Sequence, residues 1–556
     1  MIQPLVALIL ASNLLSLGAP CSAVSTQDGE STAPTIAVLG SSVASGWVTS
    51  REARQDLQNG WAQRLGRLLK PKGWRVANIS VPGDDTRAAL ERIDADLLSL
   101  EPEYVIVALS MSNEGLETED PEEVFLRYEE GLAEILNISS ESGVQAVVGL
   151  CYPNDNFTEE QYETLHRMNL LIQSWPVPSI DFLGPLDDGH GNFVSGYTFD
   201  LDHPDDLGHQ EMFHAVVPSL FEALERGKPT PERSQAEGYL RIQEGPEGAP
   251  ISFVPEEVVH SFTVAFQVRA GDPGTLVAID GGETDLVVRV EDDTLAISVG
   301  KEVLEAPANW SGEDWHEVVL TQRYLLGESE IWVDGESLGK RAARLIPRHF
   351  VLGGSGGIAA GKAPKLADYR DVAIYRTAWT QREVDAQRSG TLLQASLEVY
   401  APLRTELPAA GGAFENHAQS LASLRYFPDD LTEALATIEA RIATAGEEPR
   451  WIDPERIEPI ELAPELLARY AGDYEVNPQM TIFVTLEKGR LILSPNHQGK
   501  IELHAASETE FFLRIMGPPR VPVVFVLDEE GEVSELLFDE GPYQLRGLPK
   551  RSERDG

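Results

Sequence analysis

Four short stretches of this sequence combine residue types that can do chemistry. The sharpest is Asp200-Leu201-Asp202-His203-Pro204-Asp205-Asp206-Leu207-Gly208-His209. An aspartate three residues before a histidine can fix the imidazole tautomer and stabilise its cation once a proton has been accepted, and the spacing suits a tight turn. Far upstream, Gly40-Ser41-Ser42-Val43-Ala44-Ser45-Gly46 follows an apolar run, so a glycine turn would set a serine hydroxyl at the end of a strand. Between the two lie a segment from Asn78 through Gly83 to Thr86, whose glycine can offer a bare backbone N–H, and Met111-Ser112-Asn113-Glu114, whose amide is a donor. Taken singly, each of these three is explained as well by a plain turn or a helix cap. The acidic stretch also carries metal-ligand types in Asp200, Asp202, His203, Asp205, Asp206 and His209. Asp205 and Asp206 equally suit the start of a helix, which leaves acid–base chemistry as the preferred reading and no metal assigned.

The elements that must position these residues are legible between residue 35 and residue 226. Short β-like apolar runs at 35–39, 74–81, 104–109, 145–150 and 179–182 alternate with amphipathic stretches at 57–69, 86–98, 122–136, 159–175 and 205–225. That alternation predicts an α/β unit, a mainly parallel sheet with helices on its faces. The first three chemical pieces then fall at successive strand ends, and the fourth opens the last helix.

Block by block this order resembles the SGNH (GDSL-like) hydrolases, over residues 33–228. The resemblance implies a flavodoxin-like three-layer α/β fold and an ester hydrolase. It implies Ser42 as nucleophile, His203 as general base and acid, and Asp200 as the residue orienting His203. It also implies an oxyanion hole from the Ser42 N–H, the Gly83 N–H and the Asn113 side-chain amide. Two positions depart from the family pattern. Gly-Ser-Ser replaces Gly-Asp-Ser, which removes bonding that usually braces the nucleophile turn, and Met111 stands where a glycine is usual, which is expected to narrow the pocket.

Residues 229–250 are rich in proline, glycine and charge and read as a linker. Beyond them, short alternating strands with Gly/Asp turns such as Asp334-Gly335 argue for an antiparallel sandwich over 251–404. HSFTVAFQVRA, the Trp315-His316 strand, IWVDGE and YRDVAIYRTAWTQREV together resemble the laminin-G/concanavalin-A-like jelly roll. The resemblance implies glycan or protein binding, with a structural spacer as the competing role. Residues 405–455 read as a partly helical linker, with a helix at 429–444. The closely spaced strands of 456–550 predict a small β-barrel. Leu467-Ala468-Arg469-Tyr470-Ala471-Gly472-Asp473-Tyr474 with MTIFVTLEKGRLIL resembles the lipocalin-like barrel found after serine β-lactamase-like domains.

With 44 Lys+Arg against 90 Asp+Glu the formal net charge is -46, a field that repels nucleic acid and anionic lipid. The apolar segment 5–17 is shorter than a membrane span and is followed by Cys21-Ser22-Ala23, so residues 1–23 read as a signal peptide cleaved after Ala23. Lipid anchoring at Cys21 is the alternative, against which Pro20 stands. Cleavage at Ala23 would leave Cys151 as the sole cysteine, at the end of an apolar run where a buried small hydrophobe is expected. The sequence therefore leads to an exported serine esterase acting on acetyl or short acyl esters, carbohydrate-borne given the lectin-like neighbour, with no cofactor. The rival readings are a catalytically weak or inactive carbohydrate- or protein-binding surface protein, and a metal-dependent hydrolase.

Overall fold

The first apolar run is a strand buried along its whole length, as a strand covered on both faces must be. In the computed structural model this strand, β1 (Thr35–Gly40), is joined by β2 (Arg75–Asn78), β3 (Tyr104–Ala108), β4 (Gln145–Gly149) and β5 (Ser179–Ile180). The described residues are 33–46, 59–198, 201–243, 251–291, 294–300, 302–307, 310, 313–354, 366–404, 408–426, 428, 430–445, 460, 462–477, 480–487, 489–495, 501–505, 507–513, 521–528, 531–540 and 543–550. The signal-peptide segment and Cys21 lie outside them.

All five strands pair in parallel, in the order β2-β1-β3-β4-β5, which is the flavodoxin-like order of a doubly wound sheet. Around them lie α1 (Trp61–Leu69), α2 (Thr86–Glu91), α3 (Pro121–Glu141), α4 (Glu159–Gln173), α5 (Asp206–His214) and α6 (Leu220–Glu225). The period-2 alternation of the strands divides the core. Ile36, Val38 and Ile106 pack with Trp61, Leu65 and Phe221 on one face. Ala37, Leu39, Val105 and Val107 pack with Tyr128, Leu132 and Ile135 on the other.

Two of the expected helices are broken. The one expected over 86–98 stops at Glu91 and continues as a π turn, Ile93–Leu97, and a 3-10 turn, Leu98–Leu100. At the break the Arg92 guanidinium bonds the Asp84 carboxylate at 2.6 Å and the Ile79 carbonyl at 2.8 Å, which ties the backbone to the loop after β2. The one expected over 205–225 is two helices, α5 and α6. Pro218 lies between them, and proline has no N–H for a helix interior.

Beyond the α/β unit, two antiparallel sheets enclose one apolar cluster that includes Phe253, Phe262, Phe266, Ile279, Val288, Leu320, Phe350 and Tyr369. The expected linker boundaries need correction. Within 229–250, Leu240–Gln243 is a strand hydrogen-bonded to Leu366–Tyr375, because Leu240 and Ile242 alternate into that cluster. Within 405–455, Leu424–Arg425 pairs with Ile251–Phe253, and the helix Leu431–Ala445 lies where one was expected. Eight further antiparallel strands, from Gly472–Asn477 to Tyr543–Pro549, close into a barrel around Tyr470, Tyr474, Phe511 and Phe525.

Both β units touch the α/β unit. Tyr324 and Leu325 of the sandwich belong to the apolar cluster of the sheet's Trp61 face. Leu201, two residues before His203, belongs to the barrel's cluster. Among the described residues, no helix is long and apolar enough to cross a membrane.

Candidate functional site

In a doubly wound sheet the crevice opens at the carboxyl ends of the strands where the winding reverses, here between β1 and β3. The chain after β1 turns at once. Gly40 packs so closely on β3 that a Cβ there would come within 2.4 Å of the Ala108 carbonyl oxygen and 2.5 Å of the Ala44 Cβ. One helical turn follows, Ser42–Ser45, ended by Gly46 with φ of 84°. Ser41 is wholly buried and Ser42 is partly exposed.

The turn is braced without an aspartate at position 41. The Asn78 side-chain amide donates to the Ala44 carbonyl at 2.7 Å, the Ser45 hydroxyl donates to the Ser42 carbonyl at 2.7 Å, and the Ser45 N–H donates to the Ser41 carbonyl at 2.9 Å. Ser41 also lies against Tyr152, the third residue after β4, whose phenol is pushed far up by burial. Asn78 carried no assigned role in the sequence, although it belongs to the segment that contains Gly83.

Ser42 Oγ stands 2.9 Å from His203 Nε2, across 161 residues of sequence. The histidine loop is fixed from both sides. Thr198 Oγ1 donates to the His203 carbonyl at 2.9 Å, and the Asn156 amide donates to Asp202 Oδ1 at 2.7 Å. Asp205 caps α5, accepting from the Leu207 and Gly208 N–H groups at 3.0 Å each. His209 is sealed, accepts weakly from the Trp61 N–H at 3.4 Å, and has its pKa pushed down to about 3, chiefly by burial. Asp202, Asp205 and His209 are thus engaged in loop bracing, capping and packing, while His203 meets Ser42. Asp200 lies outside the described residues.

Gly83 sits in the left-handed region at φ of 89°, with nothing within 4 Å of where a Cβ would be, so its backbone conformation and not crowding favours glycine. Asn113 donates one amide hydrogen to the Asp84 carbonyl at 3.1 Å, which ties the loop after β3 to the loop after β2. Glu114 reinforces that tie. It is buried and accepts from the Thr86 N–H at 2.9 Å, the Thr86 hydroxyl at 3.0 Å and Arg127 Nε at 3.1 Å. Its sequence signal was adjacency to Asn113, but only tertiary contact reveals Thr86 as partner.

Met111 does not enter the crevice. It is 1% exposed and packs with Tyr128, Leu132 and Cys151 beneath the sheet edge, so the expected narrowing of the pocket is withdrawn. Cys151 is likewise buried, its thiol pushed up to about 11 mainly by burial, which makes it a poor nucleophile.

A serine hydroxyl in hydrogen-bond reach of an imidazole, at the open edge of a parallel sheet, can perform acyl transfer. Residues 38–211 match the family described as GDSL-like Lipase/Acylhydrolase family. Residues 458–548 match a domain of unknown function, DUF3471. Among curated proteins, penicillin-binding protein 4* of Bacillus subtilis is 37% identical over 76 residues, which cover 14% of this chain and 16% of that protein. Among solved structures, a catalytic mutant of an acetylxylan esterase from Geobacillus stearothermophilus is 14% identical, with 32% of this chain and 90% of that chain covered and a TM-score of 0.26. A GDSL-like lipase from Bacteroides thetaiotaomicron is also 14% identical, with 35% and 88% covered and a TM-score of 0.27. The family match places a GDSL-like hydrolase domain in the α/β unit.

Proposed function

We propose that this protein is an exported serine esterase of the SGNH type that removes acetyl or short acyl groups from carbohydrate. The observation that carries the reading is the 2.9 Å approach of Ser42 Oγ to His203 Nε2 at the edge of the sheet. In the proposed reaction His203 accepts the Ser42 proton as Oγ bonds the ester carbonyl carbon. The carbonyl oxygen takes negative charge and is held by the Ser42 N–H, the Gly83 N–H and the second hydrogen of the Asn113 amide. Each well-aimed donor lowers the barrier by about 3–4 kcal/mol. The intermediate then expels the alcohol, which leaves with the proton from His203. Water, deprotonated by the same imidazole, cleaves the acyl-enzyme to the carboxylic acid and restores Ser42. Asp200 is assigned the orientation of His203 on the family pattern.

The carbohydrate assignment rests on the laminin-G-like sequence features of the attached sandwich, and the jelly-roll and lipocalin-like descriptions of the two β units stand with it as proposals. The test is a fluorophosphonate probe followed by peptide mass mapping, alongside hydrolysis of p-nitrophenyl acetate and acetylated xylan by wild type and Ser42→Ala. Adduct on Ser42 and hydrolysis abolished in the variant are expected. Equal residual rates in both proteins would replace the esterase with a binding protein on a hydrolase scaffold.

A further inference from the structure

We propose that Glu211, His214 and His260 form a structural divalent-cation site, with zinc the best match to the donors, that pins the hydrolase domain to the sandwich. Glu211 and His214 are three residues apart on α5, so they project from one helix face. His260 comes from the sandwich, two residues before the strand Phe262–Ala270. One potential ligand atom from each lies within 4.8 Å of the others, and the three side chains belong to residues only 4%, 7% and 4% exposed.

The Glu211–His260 pair has an account without a metal. His260 Nδ1 stands 2.8 and 3.0 Å from the two Glu211 oxygens, a carboxylate–imidazole contact that satisfies both groups. That pair does not account for His214. Its ring lies 4.3 Å from the His260 ring, and its Nε2 is buried with no hydrogen-bond partner. Close by, the Tyr197 hydroxyl is also buried without a partner and lies within the field of Glu211. Two orphaned polar atoms beside one carboxylate require an explanation, and a bound ion or ordered water is the ordinary one.

The donors favour an ion of zinc type. Two imidazoles and a carboxylate suit zinc, whereas calcium and magnesium take oxygen. The surroundings are those of a held ligand set. The Val258 carbonyl lies against the His214 ring, where a second-shell acceptor fixes a tautomer, and the His260 ring is stacked on Tyr324 at 3.9 Å. The nearby Arg376 guanidinium is already neutralised by Glu398, through two contacts of 3.1 Å. His214 also lines a cavity of about 210 Å³ bounded by Phe213, Glu257, Val258 and Arg376, which gives an ion a route in. Ligands about 2.0–2.1 Å from zinc stand roughly 3.4 Å apart, so with all three atoms within 4.8 Å of one another no pair has to close by more than about 1.4 Å. A water completes the tetrahedron and gives the Tyr197 hydroxyl its partner.

The test uses the full-length protein, purified without a metal-affinity tag. Metal analysis after dialysis against zinc is expected to find about one zinc per chain, and cobalt loading to give the visible absorption of a tetrahedral ion. Zinc added back to chelator-stripped protein should raise the melting temperature by about 5 °C or more. His260→Gln and Glu211→Gln should lose the zinc, whereas Ser42→Ala keeps it. Less than a tenth of an equivalent in wild type, or no thermal shift with zinc, overturns the proposal and leaves water at the orphaned atoms. Equal zinc in wild type and in His260→Gln overturns it by locating the ion elsewhere. If the variants do not fold, the cobalt spectrum and zinc titration of the wild type decide alone. None of these readouts depends on ester hydrolysis.

Discussion

Histidines stand at both ends of α5, His203 before its start and His214 at its last residue, and the two surroundings serve different purposes. His203 lies at the open edge of the sheet, partly exposed, with one nitrogen on a serine hydroxyl. His214 and His260 are sealed at the junction with the sandwich, with Glu211 between the two domains. An imidazole that reaches solvent and substrate can take up and release a proton near neutral pH. One that is sealed cannot exchange charge cheaply, so it serves packing, hydrogen bonding or a fixed ion. What separates the two roles is access and not residue type.

The difference is broken most directly at His203. His203→Gln, measured on p-nitrophenyl acetate, is expected to lower kcat by about 10³-fold or more, with KM little changed. A small loss would mean that the 2.9 Å contact is incidental.

At the sealed junction the largest expected effect is on stability. Arg376 is fully buried, bonds Glu398 and donates from Nε to the His214 carbonyl at 2.8 Å. Arg376→Ala strands the Glu398 carboxylate, and loss of one buried partner costs about 3–5 kcal/mol. Denaturant unfolding followed by tryptophan fluorescence should show that loss. An unchanged midpoint would make the junction a passive contact.

Glu114 tests whether the open site depends on buried support. Glu114→Gln keeps the shape but removes the charge facing Arg127 and weakens the bonds from Thr86, so the loops carrying Gly83 and Asn113 loosen. A fall in kcat of about tenfold, with KM near wild type, is expected of a positioning residue. Recovery in Glu114→Asp would show that the charge matters more than reach. A change in KM alone would place Glu114 in binding.

The smallest effect sharpens the contrast between open and sealed imidazoles. Burial pushes the pKa of His349, in the sandwich core, down to about 4. Below about pH 6.5 the unfolded chain takes a proton there that the folded chain refuses until about pH 4, so acidification through that window favours unfolding. His349→Gln removes this contribution. Its stability should fall less steeply than wild type between pH 6.5 and 4, by up to about 1.4 kcal/mol per pH unit. Parallel curves would show that His349 is protonated in the folded state.

Much of the hydrolase fold was legible because each strand and helix is announced locally. The five apolar runs became five strands, and the turn residues Gly40, Gly46 and Gly83 sit where the backbone needs them. The misread segments failed for physical reasons that lie outside their own windows. Leu240–Gln243 looks like linker because its flanks are rich in proline and glycine, yet the strand Leu366–Tyr375 offers it an edge. Met111 looked like a pocket wall because it replaces a glycine, but its side chain turns into the core beside Tyr128. Glu114 and Asn78 were visible only as neighbours of more conspicuous residues.

The sequence by itself determined the period of each element, the turn chemistry after β1 and β2, the net charge and the residue types available for acyl transfer. These are properties of short windows, set by backbone conformation and side-chain polarity. Tertiary structure alone decided which hydroxyl meets which imidazole, that Thr86 and Arg127 hold Glu114, and that a histidine of the sandwich faces a glutamate of the hydrolase. Those pairings span 161, 28, 13 and 49 residues, and no local preference encodes a contact made only when distant surfaces are buried together.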